Sequence, residues 1–271
     1  MDLLWKAAVQ GIVQGIAEFL PISSTAHLIF FGDLLEMGHA EFTKIFNVVI
    51  QLASILAVVI YFRKVLIPAE MVSDGAVRKR TFDLWAKMIV GVVPILFVGA
   101  AAAKLGWVDA MQERQLIMAA ALFIGGILLL RVETWCSREN PVSDLSSLSY
   151  GTAFLIGVIQ CLAIIPGTSR SAATIIGALA LGLARPLAAE FSFLLAIPTM
   201  AAASAYSLLK HHSSFTGEEW TALAVGFAVT FLVSLFAVSW LMKFIKTHTF
   251  ELFGWYRMTL AVIVAGFLFL Q

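Results

Sequence analysis

The chain has 271 residues, of which 61% are hydrophobic and 13% charged, and its mean hydropathy is +0.93. This composition excludes a soluble globular protein, because a bilayer core about 30 Å thick needs about 20 apolar residues per helical crossing and the chain has enough for several crossings. A net charge of +1 gives no electrostatic field that would attract nucleic acid, so a nucleic-acid partner is also excluded. The sequence predicts an all-α polytopic membrane protein.

Eight apolar segments follow one another along the chain. Six of them are uninterrupted and predict transmembrane helices. These six are residues 45–62, 84–104, 116–130, 190–209, 220–242 and 252–270. The other two, residues 3–31 and 150–183, each contain a polar run that includes a proline.

The polar runs interrupt the two remaining segments near the middle, at residues 21–27 and 166–171. Proline breaks the helical hydrogen-bond ladder, and freed backbone groups are tolerated at membrane depth only inside protein or beside a water-filled cavity. We therefore predict that segments 3–31 and 150–183 are two re-entrant helix hairpins rather than spanning helices.

The two interrupted segments also resemble each other. Residues 11–17 align with residues 157–163, and after a one-residue gap the two prolines align and Ser24 aligns with Ser169. Chance matching in apolar sequence competes with this alignment, but the shared position of the interruption favours an internal repeat.

The repeat divides the chain into regions. We predict a single membrane domain over residues 1–271, with a first repeat region at 1–104 and a second at 150–245. With six crossings and two hairpins, most basic residues of the connections fall on one side, which the positive-inside rule places in the cytoplasm with both termini outside. The two hairpins then enter from opposite faces, as in an inverted-topology repeat. The cytoplasmic set is Arg63, Lys64, Arg78, Lys79, Arg80, Arg131, Arg138, Arg185, Lys243 and Lys246, against Lys44, Lys104, Arg114 and Lys210 on the other side.

Arg170 lies near the middle of the second hairpin, where a charged residue on a spanning helix costs about 2.5 to 3.5 kcal/mol. One interpretation is a structural ion pair with Glu18 of the facing hairpin. The functional interpretation is an anion clamp, because a guanidinium is a planar fork of donors that fits phosphate. Neighbouring hydroxyls and helix amides extend this predicted phosphate site to Gly167, Thr168, Ser169, Ser171 and Thr174.

The first hairpin gathers an acid, hydroxyls and a base at Glu18, Ser23, Ser24, Thr25 and His27. Because Ser24 and His27 are three residues apart, a helix would let the imidazole approach the hydroxyl, as a base approaches a nucleophile. One of the two serines is expected to be a helix N-cap instead. Glu18 is a candidate partner of Arg170, a proton-transfer group or a ligand of a divalent cation.

The two copies of the predicted repeat carry different charged residues. The second copy has Ile164 where the first has Glu18, and the first has Thr25 where the second has Arg170. A site assembled across the interface would therefore hold acid, base and hydroxyl on one wall and a cation on the other. Gln14, one helical turn before Glu18, is expected either to orient a phosphate, water or metal ligand or to pack as an amide.

Three further charged residues, Lys87, Glu190 and Arg257, lie near segment ends. They are expected to be interfacial anchors or members of internal ion pairs.

Two long motifs, residues 14–27 (QGIAEFLPISSTAH) and 166–174 (PGTSRSAAT), resemble the signatures of the undecaprenyl pyrophosphate phosphatase family, which is linked to bacitracin resistance. Residues 49–56 and 190–198 are also similar to that family, so the resemblance covers essentially the whole chain. The order and separation of the two long motifs make it highly specific. Gln14 occupies a family position usually written as Glu or Gln, which leaves Glu18 as the sole acid of the motif.

The resemblance implies a multi-pass enzyme of the bacterial plasma membrane that hydrolyses undecaprenyl diphosphate to undecaprenyl phosphate and inorganic phosphate. That reaction returns carrier lipid to peptidoglycan synthesis and confers bacitracin resistance. The resemblance also implies a pocket that faces the periplasm and a divalent cation, Mg²⁺ or Ca²⁺, with Glu18 as the candidate ligand.

A mechanism follows as a hypothesis. Ser24 is the first candidate for attack on the terminal phosphorus, His27 for proton transfer and Glu18 for orienting His27 or the cation. Arg170 and the hydroxyls around it, together with Ser23, Thr25 and Gln14, would bind the phosphate groups. A phosphohistidine at His27 and direct attack by water stay open.

A prenyl-phosphate flippase or another inverted-repeat transporter is the competing class, because secondary transporters use broken helices at mid-depth. The nucleophile, base and clamp favour the enzyme, since transport alone does not require them. The sequence leaves open the identity of the cation, the prenyl chain length, whether the product lipid is also flipped and whether the chain forms a homodimer.

Overall fold

The computed structural model describes residues 2–35, 37, 39–112, 114–136, 138–210 and 215–270, and these residues form α-helices and no strand. Six of the helices are long and apolar enough to cross a membrane, which confirms the predicted all-α, multi-pass architecture. In chain order the described helices are α1 (Asp2–Ala17), α2 (Ser24–Leu35), α3 (Ala40–Tyr61), α4 (Arg63–Leu66), α5 (Gly75–Lys104), α6 (Trp107–Gln112), α7 (Gln115–Trp135), α8 (Tyr150–Gln160), α9 (Arg170–Ala180), α10 (Arg185–Lys210), α11 (Gly217–Phe244) and α12 (Glu251–Leu270).

Each of the six long helices begins before its predicted apolar segment. The largest difference is in α5, which was expected from residue 84 and begins at Gly75. The Asp74 carboxylate caps this helix by accepting hydrogen bonds from the amides of Ala76 and Val77 at 2.7 and 3.3 Å. Apolar character marks the part of a helix that lipid surrounds, whereas the helix itself continues into polar sequence up to its cap.

Both interrupted segments consist of two helices joined by a non-helical break, at the positions that the prolines predicted. The first break joins α1 to α2, and the second joins α8 to α9 through a 3₁₀ turn at Cys161–Ile164. The serine directly before each second helix has a left-handed backbone, with φ of 74° at Ser23 and 69° at Ser169. Such a conformation costs a residue other than glycine about 1 to 3 kcal/mol, so the surrounding packing must enforce both turns.

The helices pack so that each interrupted segment contacts the opposite part of the chain. α1 packs along α11 and α8 packs along α5, while α3 packs on α10 and α7 on α12. Glycines allow the closest approaches, because Gly11 lies against Gly226 and Thr230, and Gly157 lies against the backbone of Gly91.

This packing brings the two breaks together. The Ser171 hydroxyl, at the start of α9, donates a hydrogen bond to the Leu20 carbonyl of the first break at 3.1 Å. A hydrophobic core surrounds the junction, and Phe19 packs edge-to-face on Phe193 of α10 with 5.3 Å between the ring centroids. Residues far apart in sequence therefore share one buried polar junction.

Candidate active site

A cavity of about 600 Å³ lies where the two breaks meet α5 and α10. Polar residues of both breaks line part of it, and apolar residues of the two long helices line another part. The residues with polar side chains are Glu18, Ser23, Ser24, Thr25, Gln51, Gln160, Ser169, Arg170, Thr199, Tyr206 and Ser207; Gly167 also lines the cavity, and the apolar residues include Ile95, Leu96, Ala100, Met200 and Ala203. The cavity therefore suits a molecule with a charged head and an apolar chain.

A buried ion pair joins the two breaks across this cavity. The Arg170 Nη2 atom lies 3.0 Å from Glu18 Oε1, and the two side chains are 11% and 6% exposed. Arg170 Nη1 also donates to the Ser192 carbonyl at 3.1 Å, while its Nε atom has no hydrogen-bond partner among the described residues. The predicted contact of Arg170 with Glu18 is therefore present, and the Nε donor of the guanidinium has no partner among the described residues.

Glu18 is the centre of the polar cluster. Its second oxygen, Oε2, accepts hydrogen bonds from Ser24 Oγ at 2.8 Å and from Gln14 Nε2 at 3.0 Å. One carboxylate therefore contacts both the candidate nucleophile and the candidate clamp. A carboxylate that accepts a hydrogen bond from a serine hydroxyl at this distance can act as the general base for that serine.

His27 has partners that differ from the predicted ones. Its Nδ1 atom lies 2.8 Å from the Ser23 carbonyl and its Nε2 atom lies 2.6 Å from the Tyr256 hydroxyl, so both ring nitrogens are occupied. The expected approach of the imidazole to Ser24, and of Glu18 to the imidazole, is not found among the hydrogen bonds of these residues. The physical reason is that Ser24 turns toward Glu18 while α12 presents Tyr256 to the imidazole, which stacks on the tyrosine ring.

The predicted phosphate-binding residues divide into two groups. The structure brings Gly167, Ser169, Arg170, Ser23 and Thr25 to the cavity wall. The remaining four are not among the lining residues, and the reason is that their polar groups serve contacts inside the protein. These four are Gln14, bonded to Glu18; Thr168, whose carbonyl accepts from Arg257; Ser171, bonded to Leu20; and Thr174, bonded to Ser192.

Arg257 is the clearest residue that the sequence analysis placed wrongly. It was expected to be an interfacial anchor or a member of an internal ion pair. It instead lies in α12 with 0% of its surface exposed and donates hydrogen bonds to backbone carbonyls at both breaks. The signal that could have found it is the one used for Arg170, an arginine within an apolar segment. Gln160 and Tyr256 were likewise not assigned to the site.

A divalent cation would find few protein ligands here. Among the described residues, no three His, Cys, Asp or Glu side chains lie close enough together to hold a metal ion. Of the described residues on the cavity wall, Glu18 is the one with a carboxylate, and the buried Oε1 atom of neighbouring Gln14 has no hydrogen-bond partner in the described part of the chain. These oxygens fit a cation of the Mg²⁺ type that takes one or two protein ligands and completes its shell with water and substrate phosphates.

Together, the fold and the cavity define the class: an α-helical, multi-pass membrane protein with an acidic, basic and hydroxyl-bearing site buried inside it. The chain belongs to the family described as bacitracin resistance protein BacA, whose model matches residues 7–263. This confirms the family resemblance drawn from the two long motifs.

Three relatives of similar length are each described as an undecaprenyl-diphosphatase. The chain is 42% identical over 266 residues to an undecaprenyl-diphosphatase of Aquifex aeolicus, a match that covers 97% of this chain and 98% of that protein. It is 45% identical over 269 residues to an undecaprenyl-diphosphatase of Lachnoclostridium phytofermentans, with 98% and 97% covered. It is 43% identical over 268 residues to undecaprenyl-diphosphatase 1 of Clostridioides difficile, with 98% and 97% covered.

Proposed function

We propose that this protein is a membrane hydrolase that converts undecaprenyl diphosphate to undecaprenyl phosphate and inorganic phosphate, and so recycles the carrier lipid of peptidoglycan synthesis. The observation that carries the proposal is the shared carboxylate of Glu18, which contacts Ser24 and Arg170 at the wall of one cavity. Family membership and the descriptions of the relatives support the same reaction.

The chemical step uses groups on both breaks. Ser24 Oγ attacks the terminal phosphorus and gives its proton to Glu18, while the bond from that phosphorus to the bridging oxygen breaks and undecaprenyl phosphate leaves. Water then attacks the phosphoserine, the bond from phosphorus to Ser24 Oγ breaks, Glu18 returns its proton to Oγ, and inorganic phosphate is released. Arg170 stabilises the charge on the transferred phosphoryl group, with Ser169 as a further donor.

His27 supports this step indirectly. Because its ring contacts the Ser23 carbonyl and not Ser24, we assign it to holding the first break in place. If a cation is used, Glu18 and Gln14 Oε1 would hold it, and it would supply charge neutralisation for the diphosphate.

The apolar wall gives the lipid tail its place. Residues of α5 and α10 give the cavity an apolar lining beside its polar one, so the polar head can bind Arg170 while the prenyl chain packs on apolar side chains. The cavity is then proposed to open to the periplasmic side of a bacterial plasma membrane.

The finer architecture is part of the proposal. We infer two re-entrant hairpins, α1 with α2 and α8 with α9, related as an inverted repeat. The reciprocal packing of α1 on α11 and α8 on α5 supports it. So do the left-handed serines, because Ser23 and Ser169 are separated by the same number of residues as Gly11 and Gly157. This spacing pairs Ser23, rather than Ser24, with Ser169 and needs no gap.

Phosphate release from a prenyl diphosphate by the purified protein in detergent is the direct test. No gradient exists in detergent, so release identifies a hydrolase, whereas binding without release would favour the transporter alternative. Product analysis must show the lipid monophosphate and inorganic phosphate in equal amounts. Pyrophosphate as the product would contradict the proposed position of bond cleavage.

The orientation has its own test. In a variant without native cysteines, a single cysteine at Leu105 or at Val72, both strongly exposed, reports on opposite sides of the membrane. A membrane-impermeant maleimide added to intact spheroplasts should label the Leu105→Cys protein and not the Val72→Cys protein. The reverse pattern would contradict a periplasmic cavity.

A further inference from the structure

The fully buried Arg257 has no carboxylate partner among the described residues. Its guanidinium instead donates to five backbone carbonyls, which is an unusual environment for a charge inside an apolar helix bundle. Neutral carbonyls satisfy its donors without cancelling its charge. The cost of burying this arginine suggests a role beyond packing.

The five bonds join three segments of the chain. Nη1 donates to the carbonyls of Pro21 and Thr168, each at 3.1 Å, so one nitrogen bridges the two breaks. Nη2 donates to the Gly167 carbonyl at 2.9 Å. The remaining bonds, from Nη2 to Ala121 and from Nε to Leu122, anchor the guanidinium to α7.

Peptide geometry links these bonds to the cavity. A trans peptide points its carbonyl and the following amide in opposite directions. When Arg257 holds the Thr168 carbonyl, the amide of Ser169 therefore faces away from Arg257, and this amide has no hydrogen-bond partner among the described residues. Ser169 and Arg170 both line the cavity, and the unused Nε of Arg170 lies at the same end of α9.

We infer that Arg257 is a positioning residue that fixes the peptide planes of both breaks, so that the Ser169 amide and the Arg170 guanidinium converge on the transferred phosphoryl group. This inference rests on the proposed function. Lysine cannot replace the arginine, because all the donors of an ammonium lie on one nitrogen. It lacks the planar fork with which the guanidinium reaches three segments.

The first experiment compares Arg257→Lys with Arg185→Lys, a matched control. Arg185 pairs with Glu133, donates to the Ile245 carbonyl and lines a separate cleft of about 180 Å³. Phosphate release is measured with orthovanadate as the competing phosphoryl analogue. We expect the inhibition constant of vanadate to rise about tenfold or more in Arg257→Lys and to stay within about twofold of wild type in Arg185→Lys.

The inhibition constant separates positioning from simple loss of folded protein, because it does not depend on the fraction of active enzyme. An unchanged vanadate constant in Arg257→Lys would overturn the inference even if its maximal rate fell. A wild-type protein that releases no phosphate would instead refute the proposed function.

The second measurement uses the wild-type chain alone and so does not depend on the folding of a variant. Hydrogen–deuterium exchange is followed with and without orthovanadate. We expect vanadate to slow exchange in peptides that cover residues 167–171 and to leave residues 142–148 unchanged. Equal exchange in residues 167–171 with saturating vanadate would overturn the inference.

Discussion

The two breaks have the same local design and different chemistry. Each carries a proline, a serine with left-handed φ and the start of a helix, but the first break presents Glu18 and Ser24 whereas the second presents Arg170. The two breaks therefore share their backbone geometry but carry opposite charges. Neither break alone holds both a nucleophile with its base and a phosphate clamp, so the proposed chemistry depends on their contact.

The largest expected effect on activity comes from removing the positive charge of Arg170 in the second break. Arg170→Ala should lower the rate of phosphate release by about 10³-fold, because an arginine that stabilises phosphoryl charge is worth about that much or more. Arg170→Lys keeps the charge without the planar fork and should recover only part of the loss. Wild-type turnover by folded Arg170→Ala protein would disprove the clamp.

The nucleophile of the first break gives the next largest effect. Ser24→Ala should lower the initial rate by about 10² to 10³-fold if Ser24 attacks phosphorus. The matched control is Ser149→Ala, because Ser149 caps α8 through the amide of Thr152 and lies outside the cavity. Ser149→Ala should cost about 1 kcal/mol of stability and little activity. If Ser24→Ala behaves like this control, Ser24 is only a cap or a substrate ligand.

Stability tests compare the packing of the two interrupted segments. A Cβ at Gly157 would overlap the Gly91 carbonyl, while one at Gly11 would lie 2.9 Å from the Gly226 carbonyl. We expect Gly157→Ala to lower the free energy of unfolding by about 1 to 3 kcal/mol and Gly11→Ala by less.

Thermal unfolding in detergent measures this difference. The control is Gly266→Ala, because no atom lies within 4 Å of a Cβ added there. Equal midpoints for the Gly157 and Gly266 variants would show that the close contact between α8 and α5 does not limit stability.

The smallest effect concerns the support of the first break. Tyr256→Phe removes the hydroxyl that contacts His27 Nε2 and should lower the rate about two- to tenfold, as expected for one hydrogen bond of about 1 kcal/mol. His27→Ala should lower it further, since the contact with Ser23 is also lost. A larger loss in Tyr256→Phe than in His27→Ala would mean that Tyr256 acts on the substrate itself.

The sequence predicted those features that depend on local composition. Proline among hydroxyls located both breaks, and the rarity of intramembrane charges pointed to the contact of Glu18 with Arg170. Contacts made by α12 were missed, because nothing near His27 in sequence indicates Tyr256, and the carbonyls around Arg257 come from three separate segments. Ser171 and Thr174 were assigned to phosphate from proximity alone, although the turn of α9 directs their hydroxyls to Leu20 and Ser192.

The ion pair between Arg170 and Glu18 also has a consequence for timing. A phosphate group and the Glu18 carboxylate compete for one guanidinium, so an arriving diphosphate weakens the hold of Arg170 on the acid. In the proposed mechanism the guanidinium then turns toward the phosphate and leaves the carboxylate free to take the Ser24 proton. In the proposed mechanism the pair would act as an interlock: the charge of the substrate would free the base that activates Ser24, and neutral prenyl alcohols lack that charge.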